Sequence, residues 1–114
     1  MATQFEYLDF INGRDQINQR YDIDLKSCIL LRAIVQAYAN NELITVSDVI
    51  ALKHIASPVT LHSGVKYLIS KKMIATKSDP KDGRIKYLVP APRALKLYRE
   101  LSDLVMRSQT EALT

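Results

Sequence analysis

Residues 57–72, Ser57-Pro58-Val59-Thr60-Leu61-His62-Ser63-Gly64-Val65-Lys66-Tyr67-Leu68-Ile69-Ser70-Lys71-Lys72, decide how the rest of the chain reads. Serine followed by proline starts a helix: the hydroxyl caps a free backbone N–H, and proline at the first helical position has no N–H to leave unsatisfied. A helix over 58–72 places Leu61, Val65, Leu68 and Ile69 on one face at i, i+4, i+7 and i+8. At about 100° per residue, Val59, Thr60, Ser63, Lys66, Tyr67 and Ser70 fall on the opposite side. That face is small, hydroxylated, aromatic and cationic, and it holds no acid. Gly64 costs the helix about 1 kcal/mol relative to alanine and admits a close neighbour.

Working outward, Thr45 or Ser47 caps a short helix ending near His54, with Val49, Ile50 and Leu52 apolar, and Ala56-Ser57-Pro58 breaks it. Two short helices across a tight turn form a helix-turn-helix pattern. Downstream, Met73 to Ser78 and Arg84 to Val89 read as strands, with Ile85, Tyr87 and Val89 alternating with Lys86 and Leu88. Between them Asp79-Pro80-Lys81-Asp82-Gly83 is a charged turn, whose Asp-Gly pair favours positive φ. Pro90-Ala91-Pro92 stops the second strand, and a helix over 92–112 carries Leu95, Tyr98, Leu101, Leu104 and Val105 in a stripe. Toward the N-terminus, residues 3–19 read as a helix through Phe5, Leu8 and Ile11, weakened by Gly13. Asp24 caps another helix that Asn40-Asn41 closes, with Leu25, Ile29, Ala33 and Ala37 in a stripe widened by Leu30, Leu31, Ile34 and Tyr38.

The expected fold is α+β, mainly α: a winged helix-turn-helix with a two-stranded β-hairpin wing and added N- and C-terminal helices. At 114 residues, without repeat or linker, the chain reads as a single domain over 1–114, with the helix-turn-helix and wing at 44–89. An apolar share of 47% and a charged share of 25% exclude a chain disordered throughout. No apolar run approaches the roughly 18–20 residues of a membrane span, and Met1-Ala2-Thr3-Gln4 has no signal-peptide character. Cys28 is the one cysteine and cannot form an internal disulfide, which fits a reducing compartment and a cytoplasmic protein. Within its apolar helix it reads as a core residue.

Charge is unevenly placed. Residues 1–52 carry a net charge of −3, residues 53–99 of +9 and residues 100–114 of −2. A basic block between acidic flanks favours a polyanionic partner. Catalysis finds no support: there is no Gly-rich phosphate loop, no HExxH and no cysteine pair. His54 and His62 straddle the helix-turn-helix break without a Cys or paired carboxylate to complete a metal site. Neither an enzyme, a metal nor a cofactor is expected.

The stretch from Ile44 to Leu101 resembles the multiple-antibiotic-resistance regulator (MarR) family of winged-helix transcription factors. Thr45-Val46-Ser47-Asp48-Val49, Ser57-Pro58-Val59-Thr60-Leu61, Val65-Lys66-Tyr67-Leu68 and Lys71-Lys72-Met73-Ile74 carry the likeness. Its most specific part is the wing, where Asp79, Asp82 and Arg84 meet the family's spacing of Asp, two residues, Asp, one residue, Arg. The chain departs from the family at Val89-Pro90-Ala91-Pro92, at Ser63 and Tyr67 where an arginine is frequent, and in its shorter C-terminal region.

The resemblance implies a homodimeric, sequence-specific regulator of transcription that binds double-stranded DNA, its recognition helix in the major groove and its wing at the adjacent minor groove. Ser57 opens that helix, whose first N–H groups suit a phosphate. Thr60 and Ser63 suit base edges, Lys66 a guanine or a phosphate, and Tyr67 a phosphate or a thymine methyl. Arg84 takes the family's minor-groove role with Asp82 orienting it, and Lys81 and Lys86 add phosphate contacts. The terminal helices, 1–20 and 92–112, are the expected dimerisation region, with Phe5, Leu8, Ile11, Leu101, Leu104 and Val105 as seam. A two-fold dimer calls for a pseudo-palindromic operator. The family often senses small aromatic effectors, but no residue pattern here identifies a pocket. The alternative from another class is a winged-helix module for protein–protein interaction without its own DNA binding; the acid-free face and basic wing favour DNA.

Overall fold

Local chemistry sets the helix ends in the computed structural model, which describes residues 4–113 and side chains as far as Ser108. Helix α1 spans Glu6–Arg20 and α2 Leu25–Ala39, the latter capped by Asp24, which accepts from the Ser27 N–H at 2.8 Å. A two-residue strand, β1 (Ile44–Thr45), runs straight into α3 (Val46–Ile50), where Thr45 and Asp48 form a reciprocal capping box. Helix α4 (Pro58–Ser70) starts with Pro58 in its first turn behind the Ser57 cap. Strands β2 (Ile74–Ser78) and β3 (Lys86–Pro90) lead to α5 (Pro92–Leu113). Asp22, Asn41 and Lys72 take left-handed φ of 58°, 59° and 60° where the chain leaves α1, α2 and α4.

The expected architecture is present, with corrections. The expected β2–β3 hairpin forms, and β1 adds a third antiparallel strand to give the order β1-β3-β2. Ile44 pairs with Leu88 and Thr45 with Tyr87, while β2 pairs with β3 from Ile74↔Pro90 to Ser78↔Lys86. Helix α3 stops at Ile50, short of His54. Of the two alternating faces of β3, the one that carries Leu88 and Pro90 is buried, because Leu88 lies in the core. Gly83 has no positive φ: the carboxylates of Asp79 and Asp82 hold the turn in its place.

One core unites the elements. Leu31, Ile34, Val49, Leu61, Leu68, Met73, Ile74, Leu88 and Leu97 are fully buried. Leu25 and Tyr38, read as part of the α2 stripe, are instead exposed, since α2 turns Leu30, Leu31, Ile34 and Ala37 inward. Gly64 lets α4 press against α2: a Cβ there would lie 2.7 Å from Leu30 Cδ2. On α5 the inward face is Ala94 and Leu97, with Leu101 and Leu104 packed against the core, so the expected stripe is out of phase at Leu95.

Helices α1 and α5 pack on each other. A Cβ on Gly13 would lie 3.2 Å from Leu104, and Glu100 receives the Tyr21 hydroxyl and an ion pair from Arg20 at 3.7 Å. Arg93 ties α5 to the end of α4, donating to the Lys71 carbonyl at 2.8 Å beneath the Tyr21 ring at 5.2 Å.

Candidate nucleic-acid interface

The outward face of α4 is prepared by its own cap. Ser57 Oγ accepts from the Thr60 N–H at 3.3 Å and donates to Thr60 Oγ1 at 3.0 Å. Val59, Thr60, His62, Ser63 and Lys66 are all exposed. No carboxylate lies on the helix, so nothing on it opposes an anion. Tyr67 differs from this group. Its ring packs against the core, and its hydroxyl donates to the Asp22 carbonyl. Lys71 Nζ sits 5.6 Å from that ring's centroid and 3.5 Å from Asp22 Oδ2. Tyr67 is therefore a brace between α4 and the α1–α2 turn. A helical wheel alone does not find this, because the partner is a backbone carbonyl 45 residues away.

The wing tip is built from carboxylates. Asp79 Oδ1 accepts from the backbone N–H of Lys81 at 2.8 Å and of Asp82 at 3.0 Å, while Oδ2 accepts from the Tyr87 hydroxyl at 2.8 Å. The Tyr87 bond and then the two N–H donors hold its carboxyl below the usual carboxylate range. Asp82 Oδ1 accepts from Arg84 Nε at 3.0 Å and from the Arg84 N–H at 3.1 Å, and Oδ2 from a second guanidinium nitrogen at 3.2 Å. That fork lowers the Asp82 carboxyl and raises the Arg84 guanidinium. The Arg84 side chain is 91% exposed, so the fork aims a solvent-facing cation without burying it. Lys81 is exposed at the tip, and Lys86 Nζ reaches across the ladder to Ser78 Oγ at 2.6 Å.

The residues named for a dimer seam divide. Phe5, Leu8 and Val105 are exposed. Ile11 is half-buried, and Leu101 and Leu104 pack against their own core. Tyr7 and Met106, which sequence reasoning passed over, are exposed beside them at 71% and 61%. Cys28 packs against the core, with Asn18 Nδ2 donating toward its sulfur at 3.6 Å. Among the described residues no cluster of His, Cys, Asp and Glu is placed to hold a metal, and no helix is long and apolar enough to cross a membrane.

No family model matches the chain, and no curated protein does. Solved structures match its fold. The S. aureus MepR–DNA complex superposes with a TM-score of 0.78 at 20% identity, over 96% of this chain and 81% of that one. MepR is a MarR-family regulator. The transcriptional regulator Tm0710 from Thermotoga maritima gives 0.69 at 14% identity, over 94% and 74%. The YusO protein from Bacillus subtilis gives 0.64 at 15% identity, over 96% and 74%. The fold is the winged helix-turn-helix expected from the sequence, and the MarR resemblance is met at the level of fold.

Proposed function

We propose that this protein is a homodimeric, sequence-specific regulator of transcription that binds double-stranded DNA. The observation that carries the reading is the pairing, on a winged-helix frame, of an acid-free exposed α4 face with a wing whose arginine is held outward by its own carboxylate. MepR, which shares the fold, is solved with DNA, and that supports the choice of partner.

In this reading α4 lies in the major groove, with Thr60 and Ser63 toward base edges and Lys66 toward a guanine or a phosphate. The start of the helix at Ser57 supports a phosphate. Arg84 enters the adjacent minor groove, where a narrow, strongly negative groove favours a guanidinium. Lys81 and Lys86 contact phosphates, and Tyr67 positions α4 rather than touching DNA. The chain acts as a single domain, with α1 and α5 joining two copies through Phe5, Leu8 and Val105. It acts by binding, without catalysis or cofactor, in the cytoplasm.

Selection from a random duplex pool tests this. A recovered site with two-fold symmetry and half-sites about one helical turn apart supports a dimeric reader. Recovery of random sequence alone removes sequence specificity. Failure to retain any duplex removes DNA as partner and leaves the α4 face to a protein partner.

A further inference from the structure

Val59 is the most exposed large apolar side chain among the described residues, at 78%. It stands outside the core cluster and caps nothing. A β-branched residue lowers helix propensity, and an acid in the first turn would complement the helix dipole better. Four and seven residues on, Ser63 and Lys66 are exposed on the same side, so the three form one row along α4. The row rises about 10 Å, which matches about three base-pair steps. Beside Val59, the Thr60 hydroxyl already accepts from Ser57, which leaves its own proton for an outside acceptor.

In the major groove, only thymine presents a methyl group, and it carries the O4 acceptor next to it. We propose that Val59 is a specificity-determining residue that packs on the C5-methyl group of a thymine, with Thr60 donating to an acceptor alongside. The proposal rests on the DNA reading above.

The test replaces each thymine of the pool-selected site by deoxyuridine, which removes only the methyl group, and measures binding by fluorescence anisotropy. For the wild-type chain, replacing one thymine of a single half-site weakens binding about fourfold, the worth of one buried methyl group. Val59→Ser binds the thymine and deoxyuridine sites equally, and Val59→Ala provides the same comparison with a stronger helix former. Because the side chain is exposed, both variants retain the wild-type thermal melt. Two results overturn the proposal while leaving DNA binding intact: deoxyuridine tolerated at every position, or an undiminished thymine preference in both variants. A wild-type chain that retains no duplex overturns the DNA reading and this proposal together.

Discussion

Single side chains differ in what they contribute to recognition. Arg84→Ala removes a solvent-facing cation that carries no fold contact beyond its own turn. Binding to every duplex weakens by a similar factor, and the slope of log K against log salt falls by about 1. An unchanged slope would contradict the wing assignment. Ser63→Ala removes an exposed hydroxyl from the middle of the α4 row and shifts base preference at one position by about 1 kcal/mol, leaving the salt slope unchanged. Competition between variant operator sites measures it. The capping role of Ser57 and the orienting role of Asp82 were legible in the sequence because their chemistry is local: each partner lies two or three residues away. That of Tyr67 was not, because its hydroxyl answers to Asp22, whose left-handed turn turns its carbonyl to α4.

Elements pack through a few close approaches. At Gly64 a Cβ would lie 2.7 Å from Leu30 Cδ2, the end of a side chain that would have to shift to admit it, so this glycine sets how closely α4 approaches α2. Helix α2 responds to acid through its cap. The Ser27 N–H holds the Asp24 carboxyl below its ordinary value, so the ion stabilises the fold at neutral pH. That contribution is complete above the unfolded value of about 4 and is lost as pH falls through the lower folded value. Asp24→Ala therefore costs about 1 kcal/mol at pH 7, and the difference from wild type shrinks on acidification; urea melts across pH 7 to 3 measure it. Strand β1 escaped the sequence because two residues carry no alternation, and its register comes from β3, 43 or so positions on. The phase of α5 escaped for a related reason: Leu95 and Val105 are as apolar as the residues it buries, and only contact with α1 and the core selects among them.

At the scale of the whole molecule, α1 and α5 serve their own chain first and, in the proposed dimer, a second copy with what remains. Leu101 and Leu104 are spent on the intrachain contact, while Leu8 stands 53% exposed on α1. Leu8→Glu places a charge in the proposed seam and shifts sedimentation toward the monomer by at least about tenfold in dissociation constant, with the thermal melt of the monomer unit retained. The charge distribution, +9 over residues 53–99 against a net +4 for the chain, gathers the field on the helix-turn-helix, the wing and the start of α5. DNA binding is tested most directly by fluorescence anisotropy of the wild-type chain with a labelled mixed-sequence duplex at a series of salt concentrations. A basic α4 and wing give binding whose log K falls linearly with log salt, the slope counting the phosphates met by Lys66, Lys81, Arg84 and Lys86 among others. No binding at low salt, or affinity indifferent to salt, would contradict the DNA reading.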